Sequence, residues 1–222
     1  VTISYEKGER EQAIHYNQMA IITVTDKNFD VMQNHELFVI PESKKPIISR
    51  WKKTEKTDQY SCTVHFAEDG AYHFRCAYRD KAGNISNMVV SDTLVIDHTL
   101  PLIHASYMDK KSKTGINLNT SGVLHIEITE ENFSREAVAV ILHNQKSAKK
   151  TTLKVSWLET EEHIFKAAYH IQEDGMYSLT VMCKDKAGNG AETYQSDIFL
   201  VDRNKPVVDI CYEGTKRTDD CY

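Results

Sequence analysis

The sequence predicts an all-β protein made of two consecutive β-sandwiches that are arranged end to end. The first of three supporting observations is a repeat: the string Asp-Lys-Ala-Gly-Asn begins at Asp80 and again at Asp185, 105 residues later. The second is that apolar and polar residues alternate along short segments, which is the period of a half-buried strand. The third is that turn residues separate these segments at intervals of about 8 to 12 residues, which is typical of a sandwich.

The repeat extends well beyond the five-residue string. Glu-Asp-Gly-x-Tyr occurs at 68–72 and, with the same offset, at 173–177. Upstream, the segment 24–29 resembles 128–133 with a slip of one residue, as expected where a loop has gained or lost a residue. A fixed offset with small slips indicates two copies of one structural unit.

The alignment of the copies predicts the module boundaries. We expect module 1 at residues 1–98 and module 2 at residues 99–204. Residues 205–222 are then expected to begin an incomplete third module or a tail, because 206–212 resembles 101–107, the first strand of module 2.

Comparison of the copies also predicts which face of each strand points inward. In one segment of module 1 the apolar positions are every second residue, and the matching segment of module 2 carries His125 and Glu127 between them. The residues predicted to point inward in these two segments are Ala20, Ile22, Val24, Leu124, Ile126 and Ile128. The segment from Ser134 to Leu142 is predicted to be a strand, although a helix was the alternative.

Two aromatic positions suggest an immunoglobulin-like sandwich. Glu-Asp-Gly-x-Tyr stands where the chain crosses between sheets, so Tyr72 and Tyr177 are placed like the tyrosine corner of such folds. Trp51 and Trp157 occupy the middle of each module, where these folds bury a tryptophan, and we predict that both lie in the core.

Asp-Lys-Ala-Gly-Asn is predicted to be a structural turn in the last hairpin of each module. Glycine supplies the positive φ that a tight turn needs, and the aspartate can accept hydrogen bonds from backbone N–H groups further along. A ligand is not needed to explain the string. The predicted turn residues are Asp80, Gly83, Asn84, Asp185, Gly188 and Asn189.

The order of these motifs resembles the bacterial immunoglobulin-like (Big-type) repeats that occur in tandem in surface and secreted proteins of Gram-positive bacteria. The shared order is Thr-x-x-Asn-Phe, Trp, Asp-Gly-x-Tyr, Asp-Lys-Ala-Gly-Asn and Ile-Asp-x-x-x-Pro-x-Ile. The resemblance covers nearly the whole chain and implies an extracellular location, at the cell surface or secreted. Module 2 departs from it at Arg203-Asn204-Lys205, where module 1 has His98-Thr99-Leu100.

The cysteines suggest one disulfide. Cys62 and Cys76 both belong to inward rows on either side of the sheet crossing, and Ala167 and Val181 replace them in module 2. We predict that they form a disulfide if the protein is exported, and the alternative is two buried free thiols. Cys183 aligns with Tyr78 and is expected in the core. Two cysteines in the predicted third module are left unassigned, Cys211 and Cys221.

Composition and motifs argue against several functions. The net charge of −5 and the lack of a basic stripe disfavour nucleic-acid binding. No apolar run approaches the length of a membrane helix, so we expect no membrane insertion in this segment. Strings typical of catalytic or zinc sites are also missing, so the sequence predicts that the chain is not an enzyme and has no cofactor except the calcium considered next.

Acidic residues are expected to meet where the modules join. In an immunoglobulin-like topology, the crossing turn and the chain end of module 1 face the last hairpin of module 2. One hypothesis is a Ca²⁺ ion that stiffens this junction. The alternative is that the acids cap turns and remain solvated, with Lys186 as a counter-charge. The predicted junction acids are Glu68, Asp69, Asp97, Glu130, Glu131 and Asp185.

The sequence favours a non-catalytic spacer in a larger bacterial surface or secreted protein, monomeric and in contact with neighbouring modules. The short link from Asp97 to Pro101 limits hinge motion. The alternative is an adhesive or carbohydrate-binding module, ancillary to a secreted enzyme or directed at a glycan, host or cell-wall surface. That function needs an exposed aromatic platform. The candidate tyrosines are Tyr5, Tyr16, Tyr107, Tyr169, Tyr194 and Tyr212.

Overall fold

The computed structural model describes residues 1–5, 10–11, 14–16, 19–32, 36–40, 45–113 and 115–210. Strands, turns and bends account for all regular structure in these residues, which confirms the all-β class. No helix that could cross a membrane is found among them. Cys211, Cys221 and most of the predicted third module lie outside the described residues.

The described strands fall into two groups in chain order. Those of module 1 are β1 (Thr2–Tyr5), β2 (Arg10–Glu11), β3 (Ile14–Tyr16), β4 (Met19–Thr25), β5 (Glu36–Ile40), β6 (Ile47–Ile48), β7 (Lys52–Lys53), β8 (Gln59–His65), β9 (Gly70–Ala77), β10 (Val89–Val90) and β11 (Thr93–Ile96). Those of module 2 are β12 (Leu102–Ser106), β13 (Lys110–Lys111), β14 (Asn117–Asn119), β15 (Val123–Thr129), β16 (Phe133–Asn144), β17 (Lys150–Leu153), β18 (Leu158–Glu161), β19 (Ile164–His170), β20 (Gly175–Asp185), β21 (Tyr194–Gln195) and β22 (Phe199–Val201).

The two modules share most of their sheet topology but differ after the fifth strand, where β6 pairs with β8 in module 1 and β17 pairs with β16, in the other sheet, in module 2. In module 1, one sheet has the order β1-β4-β8-β6 with β7 also on β8, and the other has β10-β9-β11-β3-β2 with β5 on β9. In module 2 the corresponding sheets are β12-β15-β19-β18 and β13-β14-β22-β20-β16-β17, with β21 on β20. The last strand of each module runs parallel to an early one, β11 beside β3 and β22 beside β14. All other described pairs are antiparallel.

Each module encloses an apolar core of its own. The inward rows predicted from the alternation are buried in both copies; Ala20, Val64 and Leu94 in module 1 have no exposed surface, and Leu124 and Phe199 in module 2 also have none. Over the described residues, no apolar cluster combines side chains from both modules. The predicted strand after Ser134 is confirmed as part of β16, which carries a bulge between Phe133 and Val138.

The crossing between sheets has the same geometry in both modules. The Tyr72 hydroxyl donates a hydrogen bond of 2.7 Å to the backbone oxygen of Glu68. The Tyr177 hydroxyl donates a bond of 3.0 Å to the backbone oxygen of Glu173. A tyrosine hydroxyl that bonds backward to the backbone four residues upstream is the defining contact of a tyrosine corner.

The two tryptophans are only half buried, in contrast to the predicted core position. Trp51 directly precedes β7, a short strand that pairs with β8, and its ring meets Phe29 edge-on at 4.9 Å. Trp157 precedes β18 and meets Phe133 at 5.5 Å. Both rings therefore pack on the margin of the core, because a position beside an edge strand leaves one side of the ring open to solvent.

Cys62 and Cys76 are free thiols in the structure, in contrast to the predicted disulfide. Both are buried in the core cluster of module 1, where they pack as small apolar side chains. Burial and the neighbouring Cys76 raise the pKa of Cys62 to about 12. Cys183 is also buried and free, in the core as expected.

The two tyrosine corners allow a matched test. Tyr72→Phe and Tyr177→Phe each remove one hydroxyl bond, so each should lower the free energy of unfolding of its own module by about 1 kcal/mol. Tryptophan fluorescence in Trp157→Phe and Trp51→Phe backgrounds reports modules 1 and 2 separately during urea unfolding. If neither variant changes the midpoint of its module, these bonds contribute nothing net to stability.

Candidate intermodule carboxylate site

The repeated turn is built by the same hydrogen bonds in both modules. In module 1 the Asp80 carboxylate accepts from the backbone N–H of Asn84 at 2.8 Å and from its side-chain amide at 2.8 Å. In module 2, Asp185 and Asn189 make the same two bonds at 2.8 and 2.7 Å. The glycine between them has a positive φ in each copy, 94° and 90°, which a residue with a side chain adopts only with strain.

The two turns differ in their surroundings. The Asp80 carboxylate is accessible to water, and the hydrogen bonds from Asn84 lower its pKa. Asp185 is 3% exposed, and burial raises its pKa, to which the neighbouring Asp97 adds. The same sequence motif is thus solvated in module 1 and buried in module 2, because in module 2 it contacts the end of the preceding module.

Hydrogen bonds fix the link that follows β11. Asp69 accepts from the backbone N–H of His98 at 2.9 Å, from the His98 ring at 2.7 Å and from the Thr99 hydroxyl at 2.8 Å. Asp97 accepts from the backbone N–H of Thr99 at 2.9 Å. In module 2, Asp174 makes the equivalent contacts with Arg203 and Asn204, so the sequence departure at that point preserves the contacts.

Two asparagines of module 2 bond to Asp97 of module 1. The Asn132 side-chain amide donates to the Asp97 carboxylate at 2.7 Å. The Asn189 amide donates to the Asp97 backbone oxygen at 2.9 Å, in addition to its bond within the turn. A third contact joins the modules, because the Lys186 ammonium lies 4.9 Å from the centre of the Tyr16 ring. Lys186 thus contacts an aromatic face of module 1.

Three carboxylates converge at this junction. Asp97, Glu130 and Asp185 are each 3% exposed, and one oxygen of each lies within 4.8 Å of the others. At such distances two like charges repel by about 3 kcal/mol for an effective dielectric constant of about 20. The three groups come from three separate segments, the ends of β11, β15 and β20.

Glu130 has the most unusual environment of the three. Its Oε1 accepts from the backbone N–H of Asn132 at 2.8 Å. Its Oε2 is buried and has no hydrogen-bond partner among the residues that the structure describes. Burial, together with the negative charges of Asp97, Asp185 and Glu131, raises the pKa of Glu130 to about 7.

A difference between the two copies explains why Glu130 Oε2 has no donor. The residue that matches Glu130 in module 1 is Asp26, and the hydroxyl of Tyr78 donates to its carboxylate. In module 2 the matching residue of Tyr78 is Cys183, whose thiol contacts the backbone oxygen of Lys184 at 3.6 Å instead. The tyrosine hydroxyl is therefore missing at the position where a larger acid has replaced aspartate.

The structure separates the six predicted junction acids into two groups. Asp97, Glu130 and Asp185 lie together. Asp69 accepts its hydrogen bonds from His98 and Thr99 of the link, and the side chains of Glu68 and Glu131 are exposed. Reasoning from the sequence did not single out Asn132 or the contact of Asn189 with module 1. Their signal was that both asparagines recur in each copy, at Asn28 and Asn84 in module 1.

The tyrosines considered for a sugar platform do not form one. Tyr16 and Tyr107 are buried, and Tyr5, Tyr169 and Tyr194 are half buried, whereas Tyr212 lies outside the described residues. Among the described residues, Phe38 is the only aromatic side chain in the set of exposed large hydrophobic residues, and the Arg75 guanidinium lies over its ring.

The fold and its junction define a pair of immunoglobulin-like modules in tandem. The sequence matches the family model of the bacterial Ig-like domain (group 3) over residues 56–197. Because this match covers more than half of the 222 residues, the chain belongs to this family, and the resemblance inferred from its motifs is confirmed. Comparison with curated proteins found no match.

Several solved structures are similar in fold at low sequence identity. A tetra-tandem repeat in the extending region of a large adhesion protein is 14% identical, with a TM-score of 0.39 over 90% of this chain and 48% of that one. The chain thus spans about half the length of that structure. Fibronectin(III)-like modules of Clostridium thermocellum CbhA are 10% identical, with a TM-score of 0.38 over 95% of this chain and all of theirs, 100%. The Bacteroides ovatus protein SGBP-B, solved with a mixed-linkage heptasaccharide, is 10% identical, with a TM-score of 0.23 over 88% and 45%.

Replacing Glu130 tests the electrostatics of the junction. A carboxyl whose folded pKa is about 7, against 4.5 ordinarily, holds its proton more tightly in the folded state. The protonated carboxyl therefore stabilises the folded state fully below pH 4.5, and this stabilisation is lost as the pH rises through 7. The free energy of unfolding changes by about 3 kcal/mol over that range. In buffer with a metal chelator, Glu130→Gln should be more stable than the wild type at pH 8 and equal to it at pH 4.5.

Urea unfolding at the two pH values measures this difference. Glu131→Gln is the comparison, because it removes a charge that only adds to the repulsion from an exposed position, so its gain at pH 8 should be smaller than that of Glu130→Gln. A gain for Glu130→Gln that is the same at pH 4.5 and pH 8 would contradict the electrostatic explanation.

Asn189→Ala and Asn84→Ala form a second matched pair. Both remove the amide bond within the turn, but Asn189→Ala also removes the bond to Asp97 of module 1. We expect Asn189→Ala to lower the stability of module 2 by about 1 kcal/mol more than Asn84→Ala lowers that of module 1. Equal losses, measured with the single-tryptophan backgrounds, would show that the intermodule bond contributes nothing.

Proposed function

We propose that the chain is a non-catalytic, extracellular spacer of a larger bacterial surface or secreted protein, monomeric, with neighbouring modules of the same chain as its partners. The observation that carries this proposal is that hydrogen bonds from both modules hold the link between them. Asp69 and Asp97 hold the link on the side of module 1, and Asn132 and Asn189 hold Asp97 from module 2. A link that is bonded on both sides restricts bending, which is what a spacer requires.

The strand order also supports a role under tension. In each module an early strand runs parallel to the last one, Ile14–Tyr16 beside Thr93–Ile96 and Asn117–Asn119 beside Phe199–Val201. When the chain is pulled at both ends, these partners move in opposite directions along their length. Their hydrogen bonds are then loaded together rather than one after another, so the pair resists separation.

The described surface supports a spacer more than an adhesin that uses aromatic stacking. Binding modules for sugars usually present exposed aromatic rings, and a contiguous apolar patch marks a docking surface. Over the described residues the exposed large apolar side chains are aliphatic or methionine apart from Phe38. The described surface therefore favours a spacer over a module that binds sugars by aromatic stacking.

One groove supports the alternative of an adhesive or carbohydrate-binding module. It has a volume of about 510 Å³ and lies on the outer face of the β12-β15-β19-β18 sheet. His104, His125 and Leu158 contribute to its lining, together with the ion pair of Lys166 and Glu127 at 3.2 Å. Imidazole and charged groups of this kind can hydrogen-bond to sugar hydroxyls.

Binding and shape measurements distinguish the two functions. On an array of glycans and mucin-type glycoproteins, with calcium and with chelator, we expect no saturable binding. Saturable binding that His104→Ala and His125→Ala abolish would instead make the groove an adhesive site.

Small-angle X-ray scattering is the second measurement. The wild type should give the maximum dimension of two sandwiches in line. Insertion of four Gly/Ser residues between Thr99 and Leu100 should broaden the distance distribution, because the inserted residues separate the modules from their shared contacts. A wild-type profile as broad as that of the insertion variant would contradict the spacer function.

A further inference from the structure

We propose that Asp97, Glu130 and Asp185 bind one Ca²⁺ ion between the two modules. The inference is independent of the spacer function, because it concerns binding and not what the chain does in its parent protein. Module 1 supplies one carboxylate and module 2 supplies two. Neither module holds the whole site by itself.

The geometry of the oxygens fits calcium. Calcium binds carboxylate and carbonyl oxygens at about 2.3–2.6 Å, so two ligands on opposite sides of the ion are separated by roughly 5 Å. The three carboxylate oxygens of the junction lie within 4.8 Å of one another. Calcium takes six to eight oxygen ligands, so waters would complete its shell.

The unpartnered oxygen of Glu130 is a separate indication of a ligand. Glu130 is 3% exposed, its Oε1 is occupied by the backbone N–H of Asn132, and its Oε2 has no donor among the described residues. A buried carboxylate oxygen that lacks a donor is costly unless a proton or a cation occupies it. In module 1 a hydroxyl fills this role, because Tyr78 donates to Asp26.

The charges around Glu130 favour the binding of a cation. The charges with the strongest effect on Glu130 are Asp97, Asp185 and Glu131, all negative. Lys186, the lysine of the repeated turn, lies against the Tyr16 ring. A divalent cation would offset the repulsion among the three carboxylates and would hold the two modules together at the same point.

The set of ligands disfavours zinc. Zinc prefers cysteine thiolates and imidazoles, and the converging groups are carboxylates. Magnesium shares the preference for oxygen but has shorter bonds of about 2.0–2.1 Å and releases its waters reluctantly.

Calorimetric titration of the whole chain with CaCl₂ tests the proposal, together with thermal unfolding in calcium and in chelator. The wild type should bind one Ca²⁺ per chain, and its thermal midpoint should rise with calcium. Glu130→Gln and Asp185→Asn should each weaken calcium binding at least tenfold. Asp80→Asn is the matched control, because Asp80 has the same turn bonds as Asp185 but belongs to the solvated turn of module 1.

Each outcome supports or overturns the site. Absence of binding heat and of a midpoint shift at millimolar calcium overturns it. Binding that Asp80→Asn weakens as much as Asp185→Asn places calcium elsewhere and also overturns it. If Asp185→Asn does not fold, Glu130→Gln decides, since the turn does not involve Glu130. Equal responses to MgCl₂ or ZnCl₂ would overturn the assignment to calcium. The scattering comparison of the wild type with the insertion variant tests the spacer function without calcium, so the failure of one proposal does not decide the other.

Discussion

The relation between the two modules depends above all on Asp97, which directly follows the last strand of module 1. Its carboxylate accepts from Asn132 and its backbone oxygen accepts from Asn189, so two loops of module 2 are bonded to the same residue. These bonds also bring Asp97 beside Glu130 and Asp185, where like charges repel. The junction therefore combines directional hydrogen bonds, which fix the contact, with an excess of negative charge, which opposes it.

Comparison of the copies shows how a duplicated unit acquired a different environment at one end. The turn itself is unchanged, since Asp80 and Asp185 accept the same bonds from the following asparagine. What differs is the environment of the acid that follows the strand β4 or β15. In module 1 the Tyr78 hydroxyl donates to Asp26, whereas in module 2 the Cys183 thiol contacts the backbone oxygen of Lys184 and not Glu130. Because cysteine replaces the longer tyrosine, no hydroxyl of the described residues reaches the Glu130 carboxylate, and a cation can occupy that position.

Membership of the bacterial Ig-like family fits a chain in which each core is closed within its own module. A module that buries its own apolar surface needs little from its neighbour except a defined angle. Few polar contacts are enough for that purpose, and the structure concentrates them at the link and the last hairpin. Mechanical and binding functions would both use this design, since the outer sheet faces remain available.

The sequence by itself determined the repeat, the strand period, the inward rows and the positions of the repeated turns, because each depends on residues that are close in the chain. It also named the acids of the junction, but as a group of six. Only the tertiary structure separated the three that converge from Asp69, which caps the link, and from Glu68 and Glu131, which stay exposed. It likewise placed the tryptophans at the core margin and left Cys62 and Cys76 as unbonded thiols in the core of module 1. These outcomes depend on distances between segments that lie far apart in sequence, and local patterning places residues on a face without setting how closely two faces approach.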